Sequence, residues 1–219
     1  MTIKGVLFDL DGTLVDSTDL ILRTFKVTLN NFIHKTVSDA DIIRYFGLPL
    51  RECLAHFDAE QADEMVQYYR VYNNKMHDKL VKPFPSVTDG LIALENMGIK
   101  KAVVTSKTSE MARRGLEVLK IDSYISNIIG CGECTKHKPD SEPMLKGAKA
   151  IFLEPHECLC VGDSPYDLLS GRSAGCRTIA VNWSLFSNQE FSALITPDYI
   201  IDELSDLVKI IKSINEKEQ

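Results

Sequence analysis

The stretch Val6–Ser17, VLFDLDGTLVDS, opens as an apolar run and stops in acid. Val6, Leu7 and Phe8 belong to a segment, residues 3–9, that reads as a short buried strand. Asp9 ends that strand, Asp11 follows two residues later, and Asp16 lies just beyond Gly12 and Thr13. Burying a carboxylate without a partner is costly, so something elsewhere in the chain must compensate Asp9 and Asp11. Where the chain goes next decides what that is.

From about residue 15 to residue 80 the pattern is helical. DSTDLILRTFKVTLNNF (16–32) places Leu20, Ile21, Phe25, Leu29 and Phe32 close to the helical period. SDADIIRYF starts with Ser38 as a candidate N-cap. LRECLAHF and EQADEMVQYYRVYNNKMHD continue the helical run, and the two prolines of VKPFPS (81–86) break it. The pattern then changes. Helices at about 87–97 and 108–120, and others after Pro143 and Pro165, alternate with the apolar segments IKKAVVTS, ISNIIG, ECLCVG and RTIAVN. PDYII leads into a last helix. Apolar strands alternating with helices imply a parallel sheet covered on both faces. The expectation is an α/β protein. Residues 1–14 and 85–219 form a Rossmann-like parallel-sheet core with helices on both faces. Residues 15–84 form an all-α helical cap inserted after the first strand. The insert leaves directly after the acidic stretch, so it should overhang it.

At 219 residues and 44% hydrophobic content, the chain can bury one core and carry a smaller unit. With 25 basic against 31 acidic residues the net charge is −6. That balance, without a basic patch, argues against nucleic-acid and membrane-surface partners. No apolar run approaches the roughly 20 residues of a membrane helix, and the N-terminus has no small-residue cleavage site. The expected location is the cytoplasm. The six cysteines are therefore read as free thiols. Cys131-Gly-Glu-Cys134 has the spacing of half a zinc site or a redox pair, but no second half accompanies it.

Four polar clusters fall at or near strand ends: Asp9-Leu-Asp11-Gly-Thr13, Thr105-Ser106-Lys107, Lys138-Pro139, and Gly162-Asp163-Ser164 with Asp167. Open parallel sheets bind ligands at the carboxyl ends of their strands. Asp9, Asp11 and Asp163 converging there would repel one another unless a cation lay between them. A hard divalent ion such as Mg²⁺ suits oxygen ligands and leaves room for water and a phosphate. Lys138 adds positive charge, and Thr105 and Ser106 supply donors for an anion. Together these describe a phosphoryl-transfer site, where cations bring an anionic nucleophile to an anionic phosphate. Residues i and i+2 of an extended segment face the same way. One of Asp9 and Asp11 can then attack phosphorus while the other protonates the leaving oxygen. Gly12 permits a sharp turn against the ligand, and Thr13 can fix that turn.

These four clusters, in this order, resemble the motifs of the haloacid dehalogenase-like hydrolases, and the resemblance spans the whole chain. It implies that Asp9 is the nucleophile and forms an aspartyl-phosphate, and that Asp11 is the general acid and then the base. It implies that Mg²⁺ is held by Asp9, Asp163 and the Asp11 backbone carbonyl. Thr105 and Ser106 would bind the phosphoryl group and Lys138 would neutralise it. Asp167 would support the metal or orient Lys138. Asp11 argues against dehalogenation, because dehalogenases of the family lack an acid there. The chain looks like the phosphoglycolate phosphatase group. Its stretches Phe46–Glu52 and Tyr68–Asn74, followed by His77-Asp78, are similar to the bacterial pyrophosphatase subgroup linked to HPr kinase. Arg51 is the cap residue expected to reach the substrate, a small phosphorylated molecule such as pyrophosphate or phosphoglycolate.

Other readings compete. Asp9-x-Asp11-Gly12 lacks the third alternating acid or amide of a calcium loop, since position 7 is Leu. Asp163, Asp167 and Thr105 could merely cap helices. Arg51 and Lys138 could be solvated surface cations. Tyr68, Tyr69 and Tyr72 read as packing within the cap, and His77 as a surface or partly packed histidine. At the level of function, a sugar-phosphate mutase of the β-phosphoglucomutase type would use the same motifs. A non-catalytic relative would be free to lose Asp9.

Overall fold

The computed structural model describes residues 2–125 and 127–217, apart from the side chains of Asn188 and Ser192. The chain opens with β1 (Gly5–Phe8), a tight loop, and the two-residue strand β2 (Val15–Asp16). Four helices follow: α1 (Thr18–Ile33), α2 (Asp39–Ile43), α3 (Leu50–Ala55) and α4 (Ala62–Leu80). The return passes through β3 (Lys82–Pro83) into α5 (Val87–Asn96), β4 (Lys100–Val104), α6 (Ser109–Val118) and β5 (Asn127–Ile129). Then come α7 (Glu142–Ala150), β6 (Cys158–Gly162), α8 (Pro165–Ala174) and β7 (Arg177–Val181). The chain closes with α9 (Asn188–Leu194), β8 (Tyr199–Ile201) and α10 (Asp206–Glu216). The expected strand ISNIIG corresponds to β5, and its Ser126 lies outside the described residues.

Six strands form one sheet in the order β5-β4-β1-β6-β7-β8, and every neighbouring pair is parallel. This is the α/β architecture that the alternating pattern implies. The chain builds outward from β1 through β4 to β5, then returns to the other side of β1 for β6, β7 and β8. The reversal lies between β1 and β6, so the ligand-binding crevice of such a sheet opens beyond their carboxyl ends. Phe8 is in register with Val161, and the next residues are Asp9 and, after Gly162, Asp163.

The strands alternate between two buried faces. Val6, Phe8, Val103, Leu159 and Val161 pack with Leu91, Leu94, Leu116, Leu207 and Ile211 from α5, α6 and α10. On the other face Leu7, Ala102, Val104, Cys158 and Cys160 meet Met144 and Ala148 of α7. The buried cysteines of β6 are packing groups, and all six cysteines are free thiols. Burial on both faces fixes β1 rigidly, which matters for the acid at its end.

The helical segment has a core of its own, centred on Phe25, Leu29, Leu54, Met65 and Tyr69. Ser38 caps α2 as expected, its Oγ accepting from the Asp41 N–H at 3.2 Å. The three tyrosines do not share one environment: Tyr69 is buried, while Tyr68 is exposed and packs edge-on against Phe32. The two crossings between the helical segment and the sheet pair with each other, Val15 opposite Pro83 and Asp16 opposite Lys82, as an antiparallel ribbon. Among the described residues, no helix is long and apolar enough to cross a membrane.

Candidate active site

The loop after β1 is wound tightly. The N–H groups of Thr13, Leu14 and Val15 all donate to the Leu10 carbonyl, and Gly12 N–H donates to the Val15 carbonyl at 2.9 Å. Gly12 has φ +89°, and a Cβ there would stand 2.2 Å from Asp163 Oδ2. Only glycine allows this backbone to lie against the second acid. Thr13 is fully buried and donates through its hydroxyl to Asp163 Oδ1 at 3.4 Å. The loop therefore holds Asp9 and Asp163 side by side.

Lys138 reaches the same point from the loop between β5 and α7. Its ammonium donates to Asp9 Oδ1 at 2.7 Å, to Asp167 Oδ1 at 2.6 Å and to the Val104 carbonyl at 2.6 Å. Those contacts account for all three of its protons, so Lys138 offers the site its charge and no spare donor. Asp167 is equally engaged. Its Oδ2 accepts from Ser164 Oγ at 2.6 Å and from the Ser164 N–H at 3.1 Å, forming the capping box at the start of α8. The capping role and the lysine-orienting role thus coexist in one residue.

Asp9, Asp163 and Asp167 bring ligand atoms within 4.8 Å of one another, all buried. Three carboxylates against one lysine leave an excess of buried negative charge. Burial pushes the Asp9 carboxyl up to about 7, against the pull of Lys138, and Asp167 and Asp11 raise it further. Burial and the neighbouring Asp9 raise Asp163 well above the usual carboxylate range. Burial works against the charge on Lys138, but Asp167 and Asp9 outweigh it and keep the amine protonated. A hard divalent cation would relieve this excess, and the all-oxygen donor set fits one. With Asp167 committed to Lys138 and Ser164, Asp9 and Asp163 are the carboxylates left to hold it.

Asp11 faces different partners. Its Oδ1 accepts from Ser17 Oγ and from Lys107 Nζ, each at 2.6 Å. Asp9 and Asp11 both line the cavity between sheet and helices, as the alternation along the strand end implies. Thr105 is buried at the end of β4. Its Oγ1 accepts the Lys107 N–H at 3.1 Å, which leaves its own hydroxyl proton to donate. Ser106 differs from expectation. Its hydroxyl donates across the cleft to the Gly47 carbonyl at 2.8 Å, tying the sheet loop to the helical segment. Gly47 itself has φ +92°, and a Cβ there would lie 2.8 Å from Ser164 Oγ.

The cavity measures about 530 Å³ and includes Arg51 and Tyr69 on the helical side and Thr105 and Lys107 on the other. Arg51 stands at its margin, paired with Asp63 at 2.7 and 3.0 Å. Two features escaped the sequence reading. One is the reach of Lys107 to Asp11. The other is His77, which is fully buried rather than at the surface or partly packed. Its Nδ1 is 2.8 Å from Asp78 Oδ1, and Arg114 of α6 donates to Asp78 Oδ2 at 3.0 Å. Burial lowers the His77 pKa, and nearby Lys107 lowers it further. A buried imidazole beside a charged neighbour carries no signal in the local sequence, since α4 gives it ordinary helical spacing.

Residues 6–181 match the family pattern of the haloacid dehalogenase-like hydrolases. The chain belongs to that family. It is 42% identical to a provisionally named pyrophosphatase PpaX of Caldanaerobacter subterraneus subsp. tengcongensis, over 100% of this chain and 99% of that protein. It is 36% identical to the pyrophosphatase PpaX of Anoxybacillus flavithermus, over 96% of this chain and 98% of that protein. Among solved structures, a phosphoglycolate phosphatase predicted for Haemophilus somnus 129PT superposes with a TM-score of 0.82 at 25% identity, covering 96% of this chain and 98% of that one. Family membership and the PpaX relatives together place the protein among phosphatase and pyrophosphatase enzymes.

Proposed function

We propose that this family member is a Mg²⁺-dependent phosphohydrolase that works through an aspartyl-phosphate on Asp9. Its substrate would be a small phosphorylated molecule, with pyrophosphate first and phosphoglycolate second. The observation that carries the reading is the Asp9–Lys138–Asp167 chain of buried contacts beside Asp163, at the switch point of the sheet. Asp9 Oδ1 is fixed by Lys138, so Oδ2 is the oxygen available to attack phosphorus. That attack forms the Asp9–phosphorus bond and breaks the bond to the leaving oxygen, which takes a proton from Asp11. The same carboxylate then accepts a proton from water as the water attacks phosphorus, releasing inorganic phosphate and restoring Asp9. Thr105 donates its hydroxyl to the transferring group, and Lys138 stabilises the charge around it. Mg²⁺ held by Asp9 and Asp163, with the Asp11 carbonyl, would supply electrostatic stabilisation of the phosphoryl oxygens. That the relatives are named pyrophosphatase PpaX supports putting pyrophosphate first. The test is steady-state phosphate release with Mg²⁺ from pyrophosphate, phosphoglycolate, β-glucose 1-phosphate and nucleoside monophosphates. A dominant kcat/KM for pyrophosphate is expected. Isomerisation of the hexose phosphate without net phosphate release would replace this reading with a mutase.

A further inference from the structure

The site contains two lysines that differ in what they have left to give. Lys138 is 2% exposed and its three donors are all spent within the protein. Lys107 is 15% exposed, lines the cavity, and spends one ammonium donor on Asp11 Oδ1 at 2.6 Å. Among the described residues no other acceptor takes its ammonium protons. The backbone of Lys107 is pinned as well. Its N–H donates to Thr105 Oγ1 at 3.1 Å and its carbonyl accepts the Cys131 N–H at 2.9 Å. The side chain is thus delivered from a fixed loop to one place, beside Asp11.

That place has a chemical meaning if, as proposed above, Asp11 gives its proton to the leaving oxygen. Whatever Asp11 protonates must lie next to Lys107. An uncharged alcohol gains little from an ammonium there. A leaving group that is itself an acid carries negative charge into the cleft, and the charge at its oxygen grows as the bond to phosphorus breaks. The spare donors of Lys107 match that charge. We infer that Lys107 is the specificity-determining residue for the leaving group. It selects phosphates whose remainder bears a second acid, phosphate or carboxylate, within a few ångströms of the scissile bond. This rests on the phosphohydrolase reading and narrows it to a substrate class. Ser17, the other donor on Asp11 Oδ1, would keep Asp11 in position when Lys107 turns toward substrate.

The test uses the full chain with Mg²⁺ and compares an anionic remainder (pyrophosphate, phosphoglycolate) with a neutral one (phenyl phosphate). Lys107→Met keeps most of the unbranched side chain and removes the charge; Lys107→Arg keeps the charge. Losing a charge-assisted hydrogen bond to the leaving group should cut kcat/KM for the anionic substrates by about 10- to 100-fold. Phenyl phosphate should lose clearly less than the anionic substrates, and Lys107→Arg should recover most of the anionic rate. An equal loss on both substrate types would overturn the inference and leave Lys107 as a support for Asp11. So would a Lys107→Arg variant as slow as Lys107→Met. Lys107→Gln serves as a second uncharged variant if Lys107→Met does not fold. If the wild-type chain releases phosphate from none of these compounds, the phosphohydrolase reading fails first and takes the inference with it. That outcome is distinct from a uniform loss in the variants.

Discussion

Lys138 Nζ lies 2.7 Å from Asp9 Oδ1 although 129 residues separate them in the chain. The contact joins the end of β1 to a loop beyond β5 and turns the acid at the end of VLFD into a structural centre. A strand buried on both faces cannot move its last residue, and a saturated lysine cannot leave it. Asp9 is thereby presented with Oδ1 held by Lys138, which leaves Oδ2 as the oxygen for the proposed attack on phosphorus.

Asp9→Asn keeps the size of the side chain and removes the proposed nucleophile. Phosphate release should fall by at least about a thousandfold, since losing a covalent nucleophile leaves only binding and charge stabilisation. The far-ultraviolet circular dichroism of the variant should match the wild type, and its unfolding should remain cooperative. More than a few per cent of residual Mg²⁺-dependent turnover would refute the aspartyl-phosphate mechanism.

The acid cluster should also make stability depend on pH and metal together. Burial raises Asp9 from its ordinary 3.8 to about 7 and raises Asp163 in the same direction. The folded state therefore favours the protonated acids. Their favourable contribution is fully present below pH 3.8 and is lost as pH climbs through about 7. In EDTA, the stability of Asp9→Asn relative to wild type should grow between pH 5 and pH 8, measured by urea unfolding. Added Mg²⁺ should stabilise wild type more at pH 8 than at pH 5, because the metal binds the ionised carboxylates. A gap between the two proteins that stays constant with pH would mean that Asp9 is ionised throughout.

Asp167 holds Lys138 with one oxygen and the start of α8 with the other. Both members of the ion pair are 2% exposed. Breaking a buried pair by removing one partner typically costs about 3–5 kcal/mol. Asp167→Ala should fall at the lower end, about 3 kcal/mol, because Lys138 retains Asp9 and the Val104 carbonyl. Chemical denaturation would read this directly, and a loss under 1 kcal/mol would show that the pair is not a structural tie.

The fold and much of the site could be read from the sequence because they rest on local signals. The change from helical to strand periodicity after VKPFPS separates the helical segment from the sheet. The four polar clusters each follow, or sit close to, an apolar strand. What escaped the reading depends on how distant segments meet. Nothing beside Thr105 says that Lys107 turns back to Asp11, because that direction comes from the pinned backbone of its loop. The Ser106 hydroxyl looks like an anion donor until Gly47 takes it. The pairing of Val15–Asp16 with Lys82–Pro83 involves two residues on each side, too few for any periodic pattern. His77 reads as a surface or partly packed histidine because its full burial comes from α6 packing over it, where a Cβ added at Gly115 would stand 3.7 Å from its Nε2.

Arg51 offers the most direct probe of how the helical segment meets substrate. It borders the cavity at the start of α3; its side chain is 58% exposed and its guanidinium is held bidentate by Asp63. Exposed pairs of this kind contribute little to folding, so the thermal midpoint of Arg51→Ala should stay at the wild-type value. If Arg51 binds the far end of the substrate equally in the ground and transition states, its loss should raise KM several-fold with kcat within about twofold. Asp63 competes for the same guanidinium. Asp63→Asn should therefore leave Arg51 freer and lower KM or hold it constant, the opposite direction from Arg51→Ala. Identical KM values for wild type and Arg51→Ala on every phosphate tested would remove Arg51 from the substrate's path and leave Lys107 as the cation beside Asp11.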